Sequence, residues 1–266
     1  MSAFSIPDAL EARYGKRHLS YSSIKNALVD MSMFDKYMKR EIVFKSDALV
    51  FGTMYDMLLF EKDRAMETYI VLDDDSIMGT LSSKALLLKN PKQGGEFKEA
   101  KEKLQATAKE KGLTLTTRAD WTQAKDMINR LEVSGLKDKY LSSGRYQVEF
   151  NEALGDVEVK GFLDCLGDGF IVDSKSTMSV QKFRYSVRDF SYDIQAYIYA
   201  KVFDVKDFYW LAQEKKMPYL PAIIKCSDET MFAGEMKFND GVERIREFLQ
   251  EGSEVSPDKD FLTFRV

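Results

Sequence analysis

Seven residues in one stretch of the chain carry most of the chemistry it could do: Glu149, Gly161, Asp164, Asp173, Lys175, Gln195 and Tyr199. Strand parity places the charged ones. Tyr146 to Leu154 and Val157 to Cys165 read as two strands joined by the two-residue turn Gly155-Asp156. Pairing Leu154 with Val157 sets Glu149 opposite Phe162 and on the face of Asp164, because side chains alternate with period two. A second turn from Leu166 to Gly169 leads into Phe170 to Lys175, and a loop of two or four residues there sets Asp164 opposite Ile171. On that register Glu149, Asp164, Asp173 and Lys175 project from one side of a three-stranded meander. A three-residue loop would turn Asp164 away from Asp173, since a slip of one residue flips every side chain.

Three carboxylates on one face repel one another, and each raises the others' pKa unless a cation sits between them. A hard divalent ion with oxygen ligands removes that repulsion. Mg2+ typically takes one or two carboxylates, with water and a substrate phosphate completing its shell. A lysine beside such a site can hold a water or hydroxide and stabilise negative charge building on a phosphorane-like transition state.

The run Gly161-Phe162-Leu163-Asp164, followed by Ile171-Val172-Asp173-Ser174-Lys175-Ser176-Thr177 and by Gln195-Ala196-Tyr197-Ile198-Tyr199, resembles the PD-(D/E)xK nuclease superfamily in its RecB-like branch. That branch carries GxxD, (D/E)xK and QxxxY motifs in this order. More narrowly the chain is similar to the RecE-like exonucleases of phages and prophages, the exodeoxyribonuclease VIII type. Leu19-Ser20-Tyr21-Ser22, Phe51-Gly52-Thr53 and Glu214 to Tyr219 extend the resemblance over most of the chain. It implies Mg2+ as cofactor, with Mn2+ as a substitute, held by Asp164, Asp173 and the Ser174 carbonyl with Glu149 in support. Lys175 would act on the attacking water, and Gln195 and Tyr199 would position the strand. It also implies double-stranded DNA ends as substrate, degradation from 5′ ends, a homo-oligomeric ring and a single-strand annealing protein as partner. Two rivals stand beside this reading: an endonuclease of the same superfamily, and a DNA-binding module whose nuclease site has decayed.

The resembling family often carries a histidine at the position of Tyr55 that contributes to the metal site. A phenol with its pKa near 10 is a poor ligand for Mg2+, so Tyr55 is expected to pack or hydrogen-bond beside the site. Ser20 or Ser22 is expected to cap the helix that follows, and the resemblance permits the same hydroxyls to touch a DNA phosphate. Lys182, Arg184 and Arg188 alternate with Phe183, Tyr185 and Phe190, a mixture suited either to a nucleic-acid backbone or to ordinary amphipathic packing.

The elements that must position these residues follow from periodicity. Phe51 to Glu61 reads as a buried helix, Phe97 to Lys111 as a solvated helix ended by Gly112, and Trp121 to Leu131 as an amphipathic helix. Phe208 to Trp210 and Tyr219 to Lys225 read as two further strands. Met236 and Phe238 fall in a short segment before a last helix, Asp240 to Gln250. The expected fold is α/β (α+β): a central mixed sheet of about five strands with flanking helices, a restriction-endonuclease-like core with a helical N-terminal elaboration. One nuclease domain spans residues 1–266, with a mainly helical part over 1–140, a catalytic core over 141–225 and a C-terminal segment and helix over 226–266.

With 44% hydrophobic and 31% charged residues, the composition is that of an ordinary globular protein. No apolar run approaches the length of a bilayer span and the N-terminus lacks a signal-peptide pattern, so a cytoplasmic protein with no membrane partner is expected, in the bacterial host's cytoplasm if phage-encoded. Two cysteines, Cys165 and Cys226, have no metal-ligand spacing, which separates the chain from the iron-sulfur nucleases of the superfamily. His18 is the single histidine, without a partner pattern, and reads as a surface residue. A formal net charge of -4 excludes a basic coat protein but leaves room for a local basic channel.

Overall fold

The computed structural model describes residues 4–42 and 46–251. Its first part is helical. Ser5 caps α1 (Ile6–Tyr14), which ends at Gly15 with φ 66°, and β1 (His18–Leu19) follows. Ser20 then starts α2 (Tyr21–Val29) with a reciprocal capping box to Ser23, so the first of the two candidate serines is the cap. Asp30 ends α2 and caps α3 (Met31–Met38).

The almost wholly apolar α4 (Asp47–Phe60) has to be buried, and Met54 and Tyr55 are fully so. A small annex follows: α5 (Lys62–Thr68), β2 (Tyr69–Leu72), α6 (Asp74–Met78), α7 (Ser83–Leu86), a single 3-10 turn at Pro91–Gln93, α8 (Gly95–Glu110) and β3 (Thr114–Thr117). In it β2 and β3 form a two-stranded parallel sheet. Next come α9 (Arg118–Val133), with Ala124, Met127 and Leu131 on its buried side, and α10 (Leu136–Tyr140).

The core then runs β4 (Arg145–Leu154), β5 (Val157–Leu166), β6 (Phe170–Thr177), α11 (Phe183–Asp189), α12 (Tyr192–Val202), β7 (Asp207–Glu214), β8 (Pro221–Lys225) and α13 (Asp228–Glu251). The sheet is mixed, in the order β1-β5-β6-β7-β8 with β4 also on β5. The five strands read from the sequence are there, and β1 is the sixth. Successive residues of β6 and β7 enter opposite cores: Ile171 and Trp210 join α1, α2, α3, α12 and α13, while Val172 and Leu211 join α4 and α9. This gives helices on both faces of the sheet.

Two expectations need correction. In β6 it is Leu166, not Asp164, that stands opposite Ile171, with Cys165 opposite Val172. The shift is two residues, so face assignments survive it. The last helix begins at Asp228 rather than Asp240, and Met236 and Phe238 lie within it. Gly234 lies inside this helix where α12 crosses so closely that a Cβ would lie 2.1 Å from the Asp193 carbonyl oxygen. Gly234→Ala is therefore expected to destabilise the protein by about 1–3 kcal/mol through overpacking. An unchanged midpoint in chemical denaturation would mean the two helices can part freely.

Candidate active site

The site forms where the sheet comes apart. β5 pairs with β6 only through Cys165 and Leu166, and with β1 only through Glu158 and Val159. Between these contacts one edge of β5 has no strand beside it. The Asp164 carboxylate bridges the opening, its Oδ2 accepting the Ser174 backbone N–H at 2.8 Å. A side chain thus takes the role that a strand carbonyl would have played in a continued ladder. Gln147 Nε2 donates to the other oxygen, Oδ1, at 3.3 Å.

Asp173 lies on the α12 side of β6 and is 2% exposed. Its Oδ1 accepts from Gln195 Nε2 at 3.0 Å, and its Oδ2 stands 2.5 Å from Lys175 Nζ in an ion pair. Tyr199, one helical turn beyond Gln195, packs its ring on Phe150 at 5.2 Å between centroids. The Tyr199 hydroxyl lies 3.0 Å from where a Cβ on Gly161 would be, and the Phe150 ring nearer still. That crowding explains a glycine three residues before Asp164. The structure therefore brings Asp164, Asp173, Ser174, Lys175, Gln195 and Tyr199 together.

Glu149 is opposite Phe162, as parity required, but it is exposed and stands outside this group of partners. A different carboxylate comes in from the other layer. Asp56 of α4 is pushed well above the ordinary carboxylate range by burial and then by Asp164, against the pull of Lys175 and Ser174. Its neighbour Tyr55 points elsewhere and donates to Gln213 Oε1 at 2.5 Å, while Gln213 in turn donates to the carbonyls of Met127 and Tyr219. Adjacent residues on a helix are about 100° apart, so only one of the two can face the sheet edge. Of the two, it is Asp56 that meets Asp164, while Tyr55 hydrogen-bonds in the core behind the site. The available signal was one acid in an otherwise apolar helix, Met54-Tyr55-Asp56-Met57-Leu58.

Tyr21, read in the sequence only as part of the run Leu19 to Ser22, also reaches the site. Capped into place by Ser20, its hydroxyl donates to the Phe190 carbonyl, and it feels Lys175, Tyr192 and Asp173. Tyr192 presents its ring to Lys175, with Nζ 4.9 Å from the centroid. Burial first, and the nearby acids after it, raise the pKa of Tyr21, Tyr192 and Tyr199, so all three phenols stay protonated. Lys182, Arg184 and Arg188 are exposed on or beside α11, where Arg184 lies over Tyr185 and Arg188 pairs with Asp189. The Ser20 hydroxyl is used in the cap, Ser22 lies in the first turn of α2, and His18 is half-buried in β1.

The electrostatics are those of an acidic hole with one cation in it. Burial, and then Asp173, pushes Asp164 up to about 6 in spite of Lys175 and the Ser174 N–H. Asp173 is raised by burial, opposed by Lys175 and Gln195. Burial would strip the Lys175 proton, but Asp173 and Asp164 outweigh it and hold the ammonium charged. With all three carboxylates ionised, one ammonium leaves two negative charges uncompensated. Asp56 Oδ1, Ser174 Oγ and Gln195 Oε1 are buried there with no hydrogen-bond partner. Orphaned acceptors around an excess of two negative charges fit a divalent cation and its water. Among the described residues no three His, Cys, Asp or Glu side chains converge closely enough to enclose an ion unaided. Mg2+ needs no such trio, since it keeps several waters and binds through one or two carboxylates.

Residues 21–259 match the sequence profile of a PDDEXK-like domain of unknown function, DUF3799. The fold is similar to a crystal structure from Eubacterium rectale, provisionally named an exonuclease, with 18% identity, a TM-score of 0.61 and coverage of 100% of this chain and 96% of that one. A second solved structure, SSO0001, is 12% identical over 77% of this chain and 88% of its own with a TM-score of 0.31, too distant to carry an argument. No curated protein sequence matches the chain. No helix among the described residues is long and apolar enough to cross a membrane. With the profile running over most of its length and the mixed sheet opening on Asp164, Asp173 and Lys175, the chain belongs to the PDDEXK-like family DUF3799, of the PD-(D/E)xK nuclease superfamily.

Proposed function

We propose that this nuclease is a Mg2+-dependent exodeoxyribonuclease that works from the 5′ ends of linear double-stranded DNA. The observation that carries the reading is the buried excess of negative charge around Lys175, with unpaired acceptors beside it. Asp164, Asp173 and Asp56 would hold the cation with the Ser174 carbonyl, and Glu149 would act from the solvent side. When bound, the cation polarises the phosphate and lowers the pKa of a water. Lys175, kept as an ammonium, donates to the oxygens on which charge builds and does not serve as a general base. Gln195 holds Asp173 through Nε2 and has Oε1 free to accept from the attacking water. Tyr199 closes the inner wall over Gly161.

The resemblance noted in the sequence supports the rest of the proposal: action at DNA ends in phage-type recombination or repair, a ring of identical subunits, an annealing protein as partner, and a cytoplasmic setting. Lys182, Arg184, Arg188, Ser20 and Ser22 are the proposed DNA contacts. The test incubates purified protein with linear duplex and with closed circular DNA. Release of nucleotides from the linear form alone, abolished by chelator and restored by Mg2+ or Mn2+, is the expected result. Cutting of the circle would make the protein an endonuclease, and inertness toward both with retained DNA binding would make it a binding module.

A further inference from the structure

Away from the acidic hole, a hollow of about 430 Å3 opens where the loop after α1 meets the end of α3, lined in part by Arg13, Lys16, Lys39 and Arg40 around Gly15. Its charges are nearly all of one sign. Arg13 and Lys39 both pair with Asp35, at 3.2 and 2.6 Å. Lys16 and Arg40 make no ion pair among the described residues. Among the described residues the Lys16 ammonium donates to the Met38 carbonyl at 2.6 Å, which leaves donors to spare. Burial, then Arg40 and then Lys160 of β5 hold this ammonium below its ordinary pKa. Arg40 itself sits at φ 62°, a left-handed conformation that side-chain-bearing residues avoid unless their surroundings impose it. In a chain whose formal net charge is -4, cations gathered as Lys16 and Arg40 are, with no acid paired to them among the described residues, are costly, and an anion relieves the cost.

We propose that this hollow grips a phosphodiester of the same nucleic-acid strand that is cut at Asp164 and Asp173, upstream or downstream of the reacting bond. The proposal rests on the nuclease reading and adds to it a second point of attachment. β5 connects the two places. His18, two residues after Lys16, is in register with Glu158, six residues before Asp164. That is roughly 20 Å at the usual strand rise, or about six nucleotides of a strand at ~3.4 Å each. The sequence places no recognisable motif at these cations, and only the meeting of α1, α3 and β5 assembles them.

The test measures binding of duplexes shorter and longer than about six base pairs to the full chain in chelator, by fluorescence anisotropy over a range of salt. The wild-type protein is expected to gain affinity once the duplex reaches the hollow. Lys16→Ala/Arg40→Ala should remove that gain, weaken long-duplex binding about tenfold, and lower the slope of log K against log salt by about two, one for each lost phosphate contact. Short duplexes should be cut at the wild-type rate by this variant when Mg2+ is added. Lys160→Ala, on β5 beside Lys16, should show a smaller loss in the same direction, and unchanged thermal melting guards against local unfolding. An unaltered length dependence and salt slope would overturn the proposal. So would inorganic phosphate bound at the hollow with the DNA slope unchanged, which would make it a free-anion site. Failure of the nuclease reading would show separately, as no Mg2+-dependent cleavage of even the short duplex.

Discussion

Lys175→Ala is expected to lower the turnover of linear duplex by about a thousandfold while leaving DNA binding within a few-fold. The ammonium is held charged by Asp173 and Asp164 in a site where burial magnifies every charge interaction, and deleting one preorganised donor to a developing oxyanion typically costs 100–1,000-fold, roughly. Because the cation is recruited mainly when charge builds on the phosphate, the loss belongs in kcat rather than KM. Lys175→Arg should recover little, since the planar guanidinium cannot take the place of a compact ammonium between Asp173 and the Tyr192 ring. Equal nucleotide release by wild type and Lys175→Ala would take the residue out of the mechanism.

Asp56→Asn should separate stability from activity. In the metal-free protein the three buried acids work against folding, and the sign can be followed for Asp164. Its unfolded pKa is the ordinary 3.8 and its folded value about 6. Below the first value both states are protonated and the group is neutral in its effect. Between the two, the folded state alone keeps the proton. Stability that is present at low pH is thus lost as pH rises through about 6, on the order of 2–3 kcal/mol when the loss is complete.

Removing the charge at Asp56 lightens this load twice, by deleting one buried acid and by letting Asp164 ionise more easily. Metal-free Asp56→Asn should therefore melt several degrees above the metal-free wild type at pH 8, and by less at pH 5. Its cleavage rate should fall about a hundredfold or more, because a carboxylate that balances the cation is gone. Added Mg2+ should raise the melting temperature of the wild type more at pH 8 than at pH 5, where protons compete for the same oxygens, and should raise that of the variant less. Glu149→Gln, on the exposed side, should cost less activity than Asp56→Asn. If Asp56→Asn neither stabilises the metal-free protein nor blunts the response to Mg2+, Asp56 has no part in the charge balance of the site.

What could be read in the amino-acid order was local. Asp173 and Lys175 share a face because strands alternate, Gln195 and Tyr199 share one because helices repeat every three to four residues, and Ser20 precedes an apolar period that needs a cap. Even a two-residue error in the β5–β6 register left the faces right, since parity is insensitive to an even shift.

Tertiary structure decided what local periodicity does not encode. The rotation of α4 about its own axis chose Asp56 over Tyr55, because that rotation is set by the apolar contacts of Met54, Tyr55, Leu58 and Leu59 with α9 and the sheet. The parting of β5 from β6 turned Asp164 into the acceptor of the Ser174 N–H and left Glu149 outside. The approach of α12 to α13 made Gly234 a packing residue within a continuous helix. Each of these depends on segments far apart in the chain meeting at one place, where burial and the sum of neighbouring charges determine what a given side chain can do.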